Sequence, residues 1–70
     1  MPRDSSVNWK LFAVDIINLR SGHVHRTLGP YSEKEAQKVI FAFNKQCFDE
    51  NDYRYYAASR RATPVERGEP

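Results

Sequence analysis

From Asn8 to Leu19 the chain reads "NWKLFAVDIINL", dense in aromatic and β-branched residues and apolar at most interior positions. Such a run predicts a β-strand with apolar side chains on both of its faces. Arg20-Ser21-Gly22 breaks the pattern, and "HVHRTLG" resumes it as a shorter strand ended by Pro30. Two hairpin registers are open. A two-residue Ser21-Gly22 turn would put Val24 and Leu28 on the face of Trp9, Leu11, Asp15 and Ile17. A loop of Arg20, Ser21 and Gly22 instead places glycine where a type I turn plus bulge needs a left-handed residue. Leu19 then faces His23, Val14 faces Leu28 and Ile16 faces Arg26, which groups Phe12, Val14, Ile16, Val24 and Leu28. This second register is preferred because it leaves no carboxylate in the middle of the core.

The period then changes. Ala36, Val39, Ile40, Phe43 and Cys47 recur at helical spacing and form one stripe. Ser32 stands three residues before Glu35, the spacing of a capping box, and Glu33 and Glu35 suit the positive end of the helix dipole. Asp49-Glu50-Asn51-Asp52 stops the helix with unfavourable charge at its C-terminal end, so that end is expected to fray. "YRYYAAS", Tyr53 to Ser59, predicts a third strand, and "RRATPVERGEP" has the composition of a disordered tail. The organisation is a flexible lead-in over 1–7, a single ββαβ domain over 8–59 and a disordered tail over 60–70. Short connections and a right-handed crossover place the third strand on the far side of the first. The fold class is therefore α+β, a three-stranded antiparallel sheet of order 2-1-3 with one helix on one face.

One helix covers one face. The other would carry Trp9, Leu11, Ala13, Ile17 and Leu19, interrupted by Asp15 and bordered by His23, His25 and Thr27. The open side of an antiparallel sheet is ordinarily polar, and an exposed apolar patch points to association. Phe41 and Phe48 lie about 120–140° around the helix from Ala36 at 100° per residue, so they share one flank beside Asn44. Exposed, they would form a helix-presented anchor for a partner.

Size sharpens this reading. A chain of 70 residues buries only about 60% of its unfolded surface. Cys47 is the single cysteine and His23 and His25 the only histidines, which leaves packing or oligomerisation as the source of extra stability. The lone cysteine fits a reducing compartment. The net charge is +2, but it is spread thinly: seven Lys/Arg against six Asp/Glu from Asn8 to Ser59, and three against two from Arg60 onward. That distribution describes an ordinary solvated surface. No stretch approaches the roughly 20 apolar residues of a membrane span, and "MPRDSSVN" lacks the apolar core of a secretory signal. The expected setting is the cytoplasm.

Candidate chemistry is sparse. His23-x-His25 could share a strand face, but zinc sites want three or four ligands. An Asp15–His25 pair has no nucleophile or pocket to serve. Cys47 lies in the core stripe, where a small buried hydrophobe is the default. Gly29-Pro30 lacks the further glycines and N–H groups of a phosphate loop. No catalytic residue, metal site or cofactor is expected, and the chain is read as no enzyme. Tyr53, Tyr55 and Tyr56 interleave with Arg54 and lead into Arg60 and Arg61, a composition that can stack and neutralise nucleic acid. The acidic cluster just before Tyr53 opposes that use.

The stretch "VHRTLGPYS" before the helix resembles the strand-to-helix joint of the sporulation-related repeat that binds peptidoglycan, although that family repeats its strand-helix unit and this chain has one helix. More broadly, Trp9, Val14-Asp15, Ser21-Gly22-His23-Val24 and Leu28-Gly29-Pro30-Tyr31-Ser32-Glu33 with Glu35-Ala36 resemble small accessory proteins of viruses of actinobacteria. That resemblance spans Trp9 to Tyr56. It implies the host cytoplasm, an uncharacterised accessory role and a possible host protein as partner, with no catalytic residues to transfer. The functional expectation is a small non-enzymatic protein-interaction module, homodimeric through the open sheet face (Trp9, Leu11, Ile17, Leu19), with Phe41 and Phe48 as a further contact. The alternative is nucleic-acid binding through Tyr53, Arg54, Tyr55, Tyr56, Arg60 and Arg61.

Overall fold

The structure, a computed structural model, describes residues 10–68. The lead-in expected over 1–7, and Trp9 of the expected interface, lie outside the described residues. The elements are β1 (Phe12–Asn18), β2 (Val24–Tyr31), α1 (Glu33–Asp49) and β3 (Tyr55–Arg61). They form one antiparallel sheet of order β2-β1-β3 with a single helix, the expected α+β architecture.

The hairpin register is right in its middle and wrong at its end. Val14 pairs with Leu28 and Ile16 with Arg26. The ladder then slips, because Ile17 pairs with Val24 and His25 is left over as a bulge. The loop is Leu19–Gly22, not three residues. Asn18 N–H donates to the His23 carbonyl at 2.9 Å, and Gly22 N–H donates to the Asn18 carbonyl at 2.7 Å. Asn18 Oδ1 accepts from the N–H groups of Arg20 and Ser21, a side-chain turn that competes with the expected one. Gly22 does take the left-handed conformation, at φ 79°. Leu19 therefore does not face His23. Val24 leaves the core face and lies opposite Ile17, 51% exposed.

β2 also runs through Pro30 instead of ending there. As an edge strand it can carry a residue without an N–H at little cost to the ladder. Pairing passes from Val14↔Leu28 to Phe12↔Tyr31, so Gly29 and Pro30 bulge together. Gly29 sits at φ 124°, where a Cβ would come within 3.1 Å of the Phe12 carbonyl oxygen. Only glycine fits that approach without strain.

The helix start is the expected capping box. Ser32 Oγ accepts from Glu35 N–H at 3.2 Å, and Glu35 Oε1 accepts from Ser32 N–H at 3.2 Å. Tyr31, just before the cap, packs against the core cluster that includes Ala36. The end of α1 is closed, not frayed. Asn51 is left-handed at φ 54°, its N–H reaches the Phe48 carbonyl, and the Asp52 N–H reaches that of Cys47. These are the two bonds of a Schellman cap.

The core is small. Val14, Ile16, Ala36 and Ala57 are buried, with Phe12, Leu28, Tyr31, Val39, Ile40, Phe43 and Tyr55 packed around them. Alanine on both the helix and β3 lets the two approach closely, and α1 accordingly packs most extensively on β3. Each fully buried Val or Ile contributes about 1.5–3 kcal/mol, so a core this thin leaves little reserve.

The third strand is displaced toward the C-terminus. It starts at Tyr55, not Tyr53, and continues past Ser59 to Arg61. Ala62 is buried, and its N–H donates to the Leu11 carbonyl at 3.0 Å. Beyond it, Glu66 and Thr63 cap each other, since Thr63 N–H donates to Glu66 Oε1 and Glu66 N–H to Thr63 Oγ1. Residues 60–68 are thus part of the fold and not a disordered tail, and the reason is Arg60.

Candidate functional site

Alternation along β1 sends Phe12, Val14 and Ile16 toward the helix and Ala13, Asp15 and Ile17 to the opposite face. That second face was expected to be an apolar patch. Its centre is an ion-paired network instead. Asp15 accepts from Thr27 Oγ1 at 2.8 Å and from Arg60 Nε at 2.9 Å. The same guanidinium donates to both oxygens of Glu66, at 2.7 and 2.9 Å. One arginine thereby joins the central strand, its own strand and the segment after it. Bidentate pairing of this kind is geometrically specific. The Arg60 guanidinium, with help from the Thr63 N–H, holds the Glu66 carboxyl at about 2. The two carboxylates, Glu66 first, push the Arg60 pKa further up.

What remains apolar on this face is narrower than expected. Val24, Ile17 and Tyr56 form one cross-strand row, and Leu19 projects from the adjacent loop at 57% exposure. Leu11 and Ile17 are half-buried, and Ala13 is buried.

The histidines do not converge. The bulge turns His25 toward Tyr55, with ring centroids 4.9 Å apart, while Asp15 is occupied by Thr27 and Arg60. His23 lies at the end of the loop, its N–H donating to Ser21 Oγ. Among the described residues no group of three or more His, Cys, Asp or Glu is placed to hold a metal ion. Cys47 is half-buried; burial, then Asp52 and Glu50, push its thiol pKa up, away from the reactive thiolate.

The tyrosine and arginine residues of the third strand are likewise dispersed. Tyr55 packs on the helix side and Tyr56 faces the other way. Tyr53 precedes the strand. Arg54 grips Asp52 at 2.9 and 3.0 Å, which holds the Asp52 carboxyl at about 2. Arg61 lies 5.8 Å from the Phe12 ring centroid, on the helix side. Arg54 and Arg60 thus spend donors on carboxylates, and the three tyrosines share no platform.

The helix flank is different. Phe41 and Phe48 are each 69% exposed. With Gln37, Ile40, Asn44 and Lys45 they line an open groove of about 570 Å³. Asn44 turns inward from this stripe to β3, its Oδ1 accepting from Ala57 N–H at 3.0 Å and its Nδ2 donating to the Ala57 carbonyl at 3.3 Å. β3 is an edge strand, and its residues alternate between bonding β1 and facing outward. Arg54 and Ala62 bond Leu19 and Leu11, the residues that flank β1, so by alternation Tyr55, Ala57, Ser59 and Arg61 face out. Asn44 closes that edge at its middle. The sequence places Asn44 beside Phe41 and Phe48 but carries no signal of its backbone partner.

No helix among the described residues is long and apolar enough to cross a membrane. No protein-family model, curated protein or solved structure matches this chain, so the assignment of any role rests on the surfaces themselves.

Proposed function

We propose that the chain is a small non-enzymatic protein-interaction module that binds through the Phe41/Phe48 flank of α1. The observation that carries this reading is the exposure of two phenylalanines on one helical stripe, each 69% accessible, in a protein whose fully buried core is mostly alanine. Few large apolar side chains are fully buried here, and a fold this thin would gain most by burying more of them inside. Leaving two in line along a groove is the arrangement of a helix that presents anchors to a partner. The sheet face supports association less well, because Asp15, Arg60 and Glu66 fill its centre. Nucleic-acid binding has less support again, since Arg54 and Arg60 are held by carboxylates.

The test is hydroxyl-radical footprinting of Phe41 and Phe48 in cells expressing the protein, compared with dilute purified protein. Protection of both rings in cells, with exposed Tyr53 unprotected, is the expected result. Equal labelling in the two settings would refute the reading.

A further inference from the structure

Ala13 lies on the face that α1 leaves open, yet it is only 1% exposed. Beside it is a trough of about 200 Å³, lined by Ala13, Thr27, Leu28, Gly29 and Pro30 of the sheet and by Glu66 from beyond β3. The geometry points to residues 63–68 as a strap that swings open as a unit from Ala62 when Arg60 releases Glu66, uncovering Ala13 and this trough.

The strap carries its own bonds. Arg67 N–H donates to the Thr63 carbonyl and Gly68 N–H to the Val65 carbonyl, each at 3.0 Å, and Thr63 and Glu66 cap one another. It buries no apolar side chain: Pro64 is exposed, Val65 is 78% exposed, and the two half-buried residues, Glu66 and Arg67, are both charged. Ala62, by contrast, is buried and bonded to the Leu11 carbonyl, which makes it the fixed end. A segment with few buried apolar contacts opens locally before the whole domain unfolds.

The catch is the Arg60–Glu66 pair, with Nη1 2.7 Å from Oε1 and Nη2 2.9 Å from Oε2. Breaking an ion pair inside a protein is costly when a buried charge loses its partner. Here neither charge is stranded. Arg60 keeps Asp15, through Nε at 2.9 Å and Nη2 at 3.3 Å, and Glu66 moves into water. The sheet retains an ion pair of its own while the strap leaves. The device lies on the face opposite α1, so it stands apart from the Phe41/Phe48 flank.

Cysteine labelling across a series of low urea concentrations measures the opening. In a Cys47→Ala background, Ala13→Cys lies under the strap, and Ala57→Cys replaces a fully buried residue of the core against α1. Urea acts in proportion to the surface exposed, so a local opening is nearly indifferent to it. Ala13→Cys should therefore react with a thiol reagent faster than Ala57→Cys and at a rate that urea barely changes, while Ala57→Cys labelling climbs steeply with urea. Adding Glu66→Gln should speed Ala13→Cys labelling by about 10–100-fold, the range of a charge-assisted hydrogen bond. Glutamine still serves the cap with Thr63, so the change removes the catch and keeps the turn.

Trypsin gives the same comparison in the chain without cysteine changes, and decides alone if circular dichroism shows Ala13→Cys unfolded. The Arg67 Nε is shielded from solvent, so cleavage after Arg67 needs the strap to leave. That cleavage should be nearly indifferent to urea and faster in Glu66→Gln, whereas cleavage after Lys38, within α1, should track urea. Labelling at Ala13→Cys, or cleavage after Arg67, that follows urea as steeply as its core counterpart means that the strap leaves only on global unfolding, and overturns the inference. Rates unmoved by Glu66→Gln overturn it as well.

Discussion

Asn44→Ala isolates the role of a single side chain in closing the sheet. In the native protein Asn44 makes two hydrogen bonds to the backbone of Ala57, which is itself completely buried. A net hydrogen bond contributes about 0.5–1.5 kcal/mol, and a buried donor left unpaired costs about 1–3 kcal/mol. Water can reach part of the vacated edge, so the expected loss is about 1.5–3 kcal/mol. At roughly 0.05–0.15 kcal/mol per residue the whole domain has about 3–9 kcal/mol to lose, which makes one asparagine a large share. Urea unfolding followed by circular dichroism, at one fixed protein concentration, measures this directly. With a slope near 1 kcal/mol/M for so small a chain, the midpoint should fall by about 2 M at unchanged slope. Gln46→Ala, which removes an exposed 3.3 Å bond to Glu50, should leave the midpoint almost unmoved. An Asn44→Ala midpoint within about 0.5 M of the native one would show that the edge bonds do not stabilise the fold, and the description of Asn44 as the closure of β3 would fall with it.

Ser32→Ala should destabilise by about 1 kcal/mol through loss of the cap, read as a lower thermal midpoint. A Ser32→Asp variant that failed to recover it would contradict the capping role. Gly29→Ala forces a left-handed residue and a Cβ at 3.1 Å from the Phe12 carbonyl oxygen, so a loss of roughly 1–3 kcal/mol is expected; an unchanged unfolding curve would contradict that geometry. The Glu66 carboxyl is held at about 2 against an ordinary 4.5. A depressed carboxylate contributes stability that is fully present above pH 4.5 and is lost as pH falls from there toward 2. Carboxyl NMR should show Glu66 titrating near 2, and Glu66→Gln should remove its part of the acid limb of the stability profile. A midpoint near 4.5 would mean that the Arg60 contact does not persist in solution.

Much of the fold follows from local sequence. The change of apolar period at Ser32, the Ser32/Glu35 pair and the two-sided run through Phe12–Ile17 each draw on residues within a few positions of one another. Backbone geometry acts directly at that range. Strand order followed from short connections and handedness, which need no side-chain detail. The exposed flank was legible for the same reason, since Phe41 and Phe48 share a stripe by helical arithmetic alone.

The rest was decided by contacts between distant residues. One leftover residue at His25 moved Val24 to the opposite face, and a single-position slip does this to any strand because side chains alternate with period two. Beside that slip, Asn18 Oδ1 accepts from two N–H groups of the loop, a side-chain turn that the hydrophobic pattern does not announce. Arg60 meets Asp15 across 45 positions, and Asn44 meets Ala57 across 13. Neither spacing has a periodic signature, because pairing at such range depends on register and on where the helix settles. The sequence alone therefore determined which segments are strand or helix and that some apolar surface would remain uncovered. Tertiary structure decided where it lay: an arginine bound between two carboxylates filled the centre of the sheet face and left a narrow row at one end, and the helix flank stayed open.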